Sequence, residues 1–201
     1  MRLATPARHL TIAATGASGG VFAREMLKIV NADQRVEKVN FIASDGALRV
    51  FAEELGLKGR ADLVKRLVGA KAVKVHAQSN DDIGANIASG SYPTDAMIVL
   101  PCSMGTLARI ANGMAINLIE RAADVCLKEQ RPLVLCVRET PLNKIHLRNL
   151  QLAADAGATI FPMIPTFYNQ PIDSTQMARQ FVMRVLAHVG LEQKEMFRWK
   201  A

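Results

Sequence analysis

The sequence has few aromatic residues, no long apolar run and no paired cysteines, and each shortage narrows what the chain can be. Aromatics are 5% of the 201 residues, and no basic stretch is interleaved with rings on which bases could stack, so nucleic acid is not the expected partner. The formal charge of +7 favours anions, but the basic residues are dispersed, which suits phosphate groups held in a pocket. The longest apolar stretches, such as Ala96 to Leu100, are strand-sized and far short of the roughly 20 residues a bilayer demands. No apolar segment follows Arg2 and Arg8 before the first strand, so a secretory leader is not expected. The three cysteines, Cys102, Cys126 and Cys136, are odd in number and form no CxxC pair. A disulfide scaffold and a zinc site both fit poorly, and a reduced, cytoplasmic protein is expected.

What is present is a regular alternation. Strand-like runs at His9–Thr15, Val39–Ala43, Ala72–His76, Ala96–Leu100, Leu133–Val137 and Thr159–Phe161 are separated by segments with helical spacing. Pro101 reads as the stop of the fourth strand, and Ser174 as the cap of a last helix with Met177, Phe181, Val185 and Val189 on one face. Strands separated by helices imply right-handed crossovers, hence a single α/β domain: a Rossmann-like or flavodoxin-like open parallel sheet with helices on both faces. Residues 1–191 form this domain, and 192–201 form a tail whose Met196, Phe197 and Trp199 suit either a neighbouring subunit or the tail's own domain. The segment 78–95 is the least regular part of the chain, and loops of that length tend to be functional or disordered.

In open parallel sheets ligands sit beyond the carboxyl ends of the strands, so the residues just after each strand matter most. After the first stands Thr15-Gly16-Ala17-Ser18-Gly19-Gly20, small residues opening a helix. Such a turn lets a phosphate approach the backbone N–H groups, and its departure from GxGxxG argues for a mononucleotide over a dinucleotide; a tight turn without a ligand is the plainer alternative. After the second stands Ser44, a cap or a ligand contact, and after the fourth Ser103-Met104-Gly105-Thr106, with the same two readings. After the fifth stand Arg138 and Glu139. The arginine suits a phosphate and the glutamate proton movement, or the two form an ion pair at the sheet edge. Lys128, Tyr168 and Arg184, each taken alone, read as ordinary helix-end, packing and surface residues.

Taken together these residues resemble the UbiX-type flavin prenyltransferase family, and the match covers nearly the whole chain. It runs through TGASGG at Thr15–Gly20, ASGS at Ala88–Ser91, PCSMGTLA at Pro101–Ala108 and NLIERAADVCLKEQRPLVL at Asn117–Leu135. RETPL at Arg138–Leu142, IHLRN at Ile145–Asn149, FYNQP at Phe167–Pro171 and the terminal Arg198-Trp199 complete it. The resemblance implies a cytoplasmic homododecamer with active sites at subunit junctions. Its members join the dimethylallyl group of dimethylallyl monophosphate to N5 and C6 of reduced FMN, and the prenylated FMN serves UbiD-type decarboxylases. Carried over by motif, Gly16, Ala17, Ser18, Ser44, Ser103, Met104, Gly105, Thr106 and Arg138 hold the flavin. Lys128, Glu139, Tyr168 and Arg184 surround the prenyl phosphate, with Glu54 and Arg121 reaching the site from neighbouring chains. Glu139, Ser18, Lys128 and Arg184 are the catalytic candidates.

The chemistry agrees: breaking an allylic C–O bond leaves phosphate charge for Lys128, Arg138 and Arg184 to stabilise. Asp81-Asp82 stands alone, and a metal-free reaction of a monophosphate fits the absence of a DDxxD-type cluster. Two departures from the family stand out. Many members carry lysine where this chain has Gly105, and segment 78–87 lacks an aromatic found in some of them. Two rivals remain. A cysteine-peptide or pantothenoylcysteine-type decarboxylase shares the fold class but carries a PASANT-like segment at Pro101–Thr106 and a catalytic histidine whose surroundings His76 and His146 lack. A non-catalytic flavin carrier would dispense with Glu139 or Arg184, and both are present.

Overall fold

Six strands pair in the order β3-β2-β1-β4-β5-β6, every pair parallel, in a computed structural model that describes residues 5–200. They are β1 His9–Ala14, β2 Lys38–Ala43, β3 Val75–Gln78, β4 Ala96–Cys102, β5 Leu133–Val137 and β6 Thr159–Ile160. The helices are α1 Gly20–Ala32, α2 Asp45–Leu55, α3 Leu63–Val68, α4 Met104–Ala111, α5 Leu118–Lys128, α6 Lys144–Asp155 and α7 Ser174–His188. Covered on both faces, the central strands are apolar along their length rather than alternating: all seven residues of β4 and all five of β5 are buried. Side chains from α1, α2, α3 and α7 build one core layer, around Met26, Phe51 and Val185. Those from α4, α5 and α6 build the other, around Leu107, Ile119 and Ala153. The doubly wound fold read from the sequence is therefore the observed one.

Several boundaries differ from the sequence reading. The third strand is Val75–Gln78 rather than 72–76, because its register is set by pairing with Val39–Ile42 of β2 and not by its own composition. Pro101 does not stop β4, which runs to Cys102. The proline follows a cis peptide bond, the ladder with β5 is irregular between Val99 and Cys102, and the Pro101 carbonyl accepts the Thr15 N–H at 3.0 Å. Asp173, not Ser174, caps α7, its carboxylate accepting the Gln176 N–H at 2.7 Å. The irregular segment 78–95 contains a 3-10 helix, Asn86–Ala88, whose Ile87 and Ala88 are buried against the α5 layer. Among the described residues no helix is long and apolar enough to cross a membrane.

The chain winds outward in both directions from β1 and β4, so the order reverses between them. The crevice at that reversal is where such sheets hold ligands. It is closed at its base by the Thr15 hydroxyl, which donates to the Pro101 carbonyl and accepts the Ser103 N–H at 2.8 Å.

Candidate flavin and phosphate site

The crevice opens into a cavity of about 340 Å³ lined by Gly16, Ser44, Asp45, Gly46, Asn80, Ser103, Thr106, Arg109, Asn117 and Ile119. Four of the residues expected to hold flavin, Gly16, Ser44, Ser103 and Thr106, thus meet in one place. Ser44 and Ser103 are the N-caps of α2 and α4, their hydroxyls accepting the Ala47 and Thr106 N–H groups at 3.1 and 3.4 Å. Capping, one of the two readings the sequence left open for these residues, is observed, and the same residues line the cavity. Asn117, capping α5, lines the cavity as well. Three helix N-termini therefore converge on it, each carrying a partial positive charge. An anionic, hydrogen-bonding group such as a ribityl phosphate fits this lining of hydroxyls, amides and one guanidinium.

The turn after β1 behaves differently. At Gly19 φ is +129°, a conformation that side chains rarely adopt, and a Cβ there would meet the Met163 side chain at 2.7 Å. The N-terminus of α1 is already occupied. Glu54, from α2, accepts the Gly19 N–H at 3.1 Å and the Gly20 N–H at 2.6 Å within its own chain. Only the front of the turn, at Gly16, faces the cavity, while Ala17 is buried and Ser18 exposed beside it. Gly16 lies so close to Gly46 that a Cβ on Gly46 would stand 2.9 Å from the Gly16 Cα. Gly46 follows the second strand, two residues after Ser44.

A second cavity, of about 320 Å³, is lined by Thr166, Tyr168, Gln180, Arg184, Phe197 and Trp199. It brings together Tyr168 and Arg184, 16 residues apart in sequence, with two aromatic residues of the tail. Trp199 packs edge-on against Tyr168 at 4.7 Å, and the Arg184 guanidinium lies 6.0 Å from the centre of the Phe161 ring. Arg184 has no carboxylate partner among the described residues. The tail is anchored to its own domain: the Phe197 N–H donates to Gln180 at 2.8 Å, and Gln193 donates to Asp33 at 2.8 Å.

Arg138 and Glu139 stand between the two cavities in strand order, where β5 ends. They are not an ion pair; Glu139 accepts the Thr140 N–H at 3.0 Å through Oε1, and Arg138 is half-buried without a carboxylate partner among the described residues. Met104 is buried in the core layer of α4, and Gly105 is exposed on the first turn of that helix. Of the expected site residues, only Gly16, Ser44, Ser103, Thr106, Tyr168 and Arg184 line either cavity, and Lys128, Arg121 and Glu54 are held elsewhere in one chain. Lys128 ends α5 at the opposite edge, where β5 begins, with Nζ 2.5 Å from Glu129. At about 3.3 Å per residue, β5 holds it on the order of 15 Å from Arg138. Arg121 donates to the Ala88 carbonyl at 3.2 Å and to Asp124 at 3.0 Å on the outer side of α5. Asn80, Arg109 and Asn117 line the first cavity without having been singled out in the sequence; the Asn80 side chain reaches it by accepting the Ile119 N–H at 3.2 Å. Among the described residues no group of three or more His, Cys, Asp or Glu side chains is placed to hold a metal ion.

The flavoprotein family model matches residues 3–186 of the chain. A probable UbiX-like flavin prenyltransferase from Sedimentibacter hydroxybenzoicus is 41% identical over 192 residues, covering 96% of this chain and 97% of the relative. The crystal structure of a dodecameric FMN-dependent UbiX-like decarboxylase from Escherichia coli O157:H7 superposes with a TM-score of 0.85 at 37% identity, covering 96% of this chain and all of that one. The AnUbiX protein, crystallised with FMN and dimethylallyl pyrophosphate, gives 0.85 at 36% identity over 96% of this chain and 98% of its own. The cysteine decarboxylase TvaF, at 16% identity and a TM-score of 0.57, shares the fold alone. Similar to these prenyltransferases along nearly its whole length, the chain belongs to the flavoprotein family and, within it, to the UbiX-type flavin prenyltransferases.

Proposed function

We propose that this protein transfers the dimethylallyl group of dimethylallyl monophosphate to N5 and C6 of reduced FMN, making prenylated FMN for a UbiD-type decarboxylase. The observation that carries the reading is the pair of cavities along one sheet edge: a polar one at three helix N-termini, and a second holding, between aromatic rings, a cation without a carboxylate partner among the described residues. The first suits the ribityl phosphate of FMN, held by Gly16, Ser44 and Ser103 to Thr106, with Ala17 and Ser18 at its mouth. The second suits the prenyl phosphate.

Reduced FMN, when bound, supplies the electron-rich N5 and C6 positions. The chain's own groups do the rest. Arg184 and Tyr168 would hold the allylic phosphate, and the guanidinium would stabilise its charge as the C–O bond breaks and the electron pair leaves with it. Arg138, at the end of β5, would help hold the flavin. The departing phosphate would take the proton that N5 loses and return it to the allyl CH carbon as the far allyl carbon bonds to C6. The Oε2 atom of Glu139, which accepts no hydrogen bond among the described residues, would take the proton that C6 loses. Lys128 lies at the far edge of its own sheet, so it serves this site only from a neighbouring copy, which makes a dodecamer of this chain, like that of the E. coli protein, part of the proposal. Arg121 of a neighbour belongs to the same junctions, whereas Glu54, expected there from a neighbouring chain, is held on the α1 N-terminus of its own. The tail, 192–201, walls the second cavity with Phe197 and Trp199. The three buried, unpaired thiols suit a reducing compartment such as the cytoplasm.

Anaerobic incubation with reduced FMN and dimethylallyl monophosphate, followed by mass spectrometry of the extracted flavin, tests the reading. A gain of one five-carbon unit is expected. Unchanged FMN, recovered from protein that binds it, would refute prenyl transfer and leave the carrier reading standing.

A further inference from the structure

Glu120 is the one carboxylate of α5 with no solvent exposure at all in its side chain. A buried carboxylate is costly unless it is paired, and this one is: its Oε1 accepts from the Nε of Arg109 on α4, and its Oε2 accepts the Ile116 N–H at 3.2 Å. Arg109 therefore spends one of its five N–H groups on Glu120, and no acceptor within the described residues takes those of Nη1 and Nη2. That guanidinium lines the first cavity beside Ser44, Ser103, Thr106 and Asn117. Gly105 stands beside it: a Cβ there would lie in ordinary contact with Nη1, at 3.7 Å. The acidic residue on the cavity wall, Asp45, is neutralised by Arg60 at 2.6 Å.

We infer that Arg109 is a ligand of the flavin phosphate, oriented by Glu120, and that it makes the site select FMN over unphosphorylated riboflavin. This rests on the function proposed above. The cavity's donors suit a phosphate rather than a ring system: its lining holds three hydroxyl and amide-bearing caps, a second amide and one cation, with Ile119 the sole large apolar side chain. A guanidinium fixed at Nε presents its two remaining amino groups in a planar fork, the geometry that takes two phosphate oxygens at once. Glu120 is a positioning residue: it touches the flavin through Arg109 alone.

The test compares FMN and riboflavin, which differ by the phosphate. Flavin fluorescence titrations are run on the wild type, on Arg109→Gln and on the double variant Arg109→Gln/Glu120→Gln, which strands no buried charge. Wild type is expected to prefer FMN. Both variants are expected to lose about ten- to hundredfold in FMN affinity, the loss of a charge-assisted contact, while riboflavin affinity stays within about twofold. Equal loss for both flavins, or no loss for FMN, makes Arg109 a bolt between α4 and α5 and overturns the inference. So does wild-type protein that binds riboflavin as tightly as FMN, whatever the variants do. Prenylation by the wild type, measured alongside, decides the proposed reaction separately: its absence removes that reaction, while the FMN–riboflavin difference still decides Arg109.

Discussion

Arg184→Ala is the sharpest probe of the second cavity, because the structure separates what this side chain does for folding from what it does for chemistry. Arg184 is exposed on α7, and its contact with the protein is the Phe161 ring, 6.0 Å from the guanidinium. An exposed cation–π contact contributes about 0.5–1 kcal/mol, and alanine suits a helix interior better than arginine, so the melting temperature should hardly move. The first cavity does not include Arg184, and FMN affinity should also be unchanged. If the guanidinium stabilises the departing phosphate, its loss should cost about 2.7–4 kcal/mol in the transition state, or roughly 10²–10³ in rate. The assay is anaerobic single-turnover prenylation, read by mass spectrometry, with FMN titration and thermal denaturation of the same preparations. Arg184→Lys, which keeps charge but not the fork, should fall between the two. Prenylation within a few-fold of wild type in a folded Arg184→Ala protein would remove this residue from the mechanism. A matched loss of stability, flavin binding and rate would make its role structural.

Three further outcomes are expected. Gly46→Ala should press a methyl against the Gly16 backbone at 2.9 Å, where no flexible side chain can yield. A loss of about 1–3 kcal/mol in urea unfolding and weaker FMN binding should follow, and an unchanged FMN affinity would show that the two turns need not stay in contact. Glu54→Gln removes the charge that sits on the α1 N-terminus, and should lower stability by on the order of 1 kcal/mol; a melting temperature equal to wild type would show that the carboxylate is not needed there. Asp33 is held at about 2 by its hydrogen bonds to Arg35, against burial, with Gln193 adding to the effect. Because its folded value lies below the ordinary 3.8, its stabilisation is complete above about pH 4 and is lost as the pH falls toward 2. The gap in melting temperature between wild type and Asp33→Asn should therefore close over that range, and a gap that persists at pH 2 would contradict the assignment.

The strands and helices were legible in the sequence because they answer to local rules. Buried runs such as Ala96–Leu100 have nowhere to lie but mid-sheet, and apolar spacing of three and four residues marks α1 and α5 regardless of what they touch. The residues after each strand were legible too, since a parallel sheet delivers them all to one edge, and the family resemblance supplied roles for them. What the sequence left open depends on partners far along the chain. Ser174 and Asp173 are both good caps, and which one serves is settled by where α7 docks. Glu54 finds the α1 N-terminus 34 residues back, and Gly46 meets Gly16 across two neighbouring turns. Arg109 and Asn80 enter the first cavity because α4, α5 and segment 78–95 pack together there, while Lys128 is carried to the far edge by the direction of α5. Periodicity records which face of an element is apolar. Which polar residues share a cavity is decided when those faces dock, and that is a property of the tertiary structure alone.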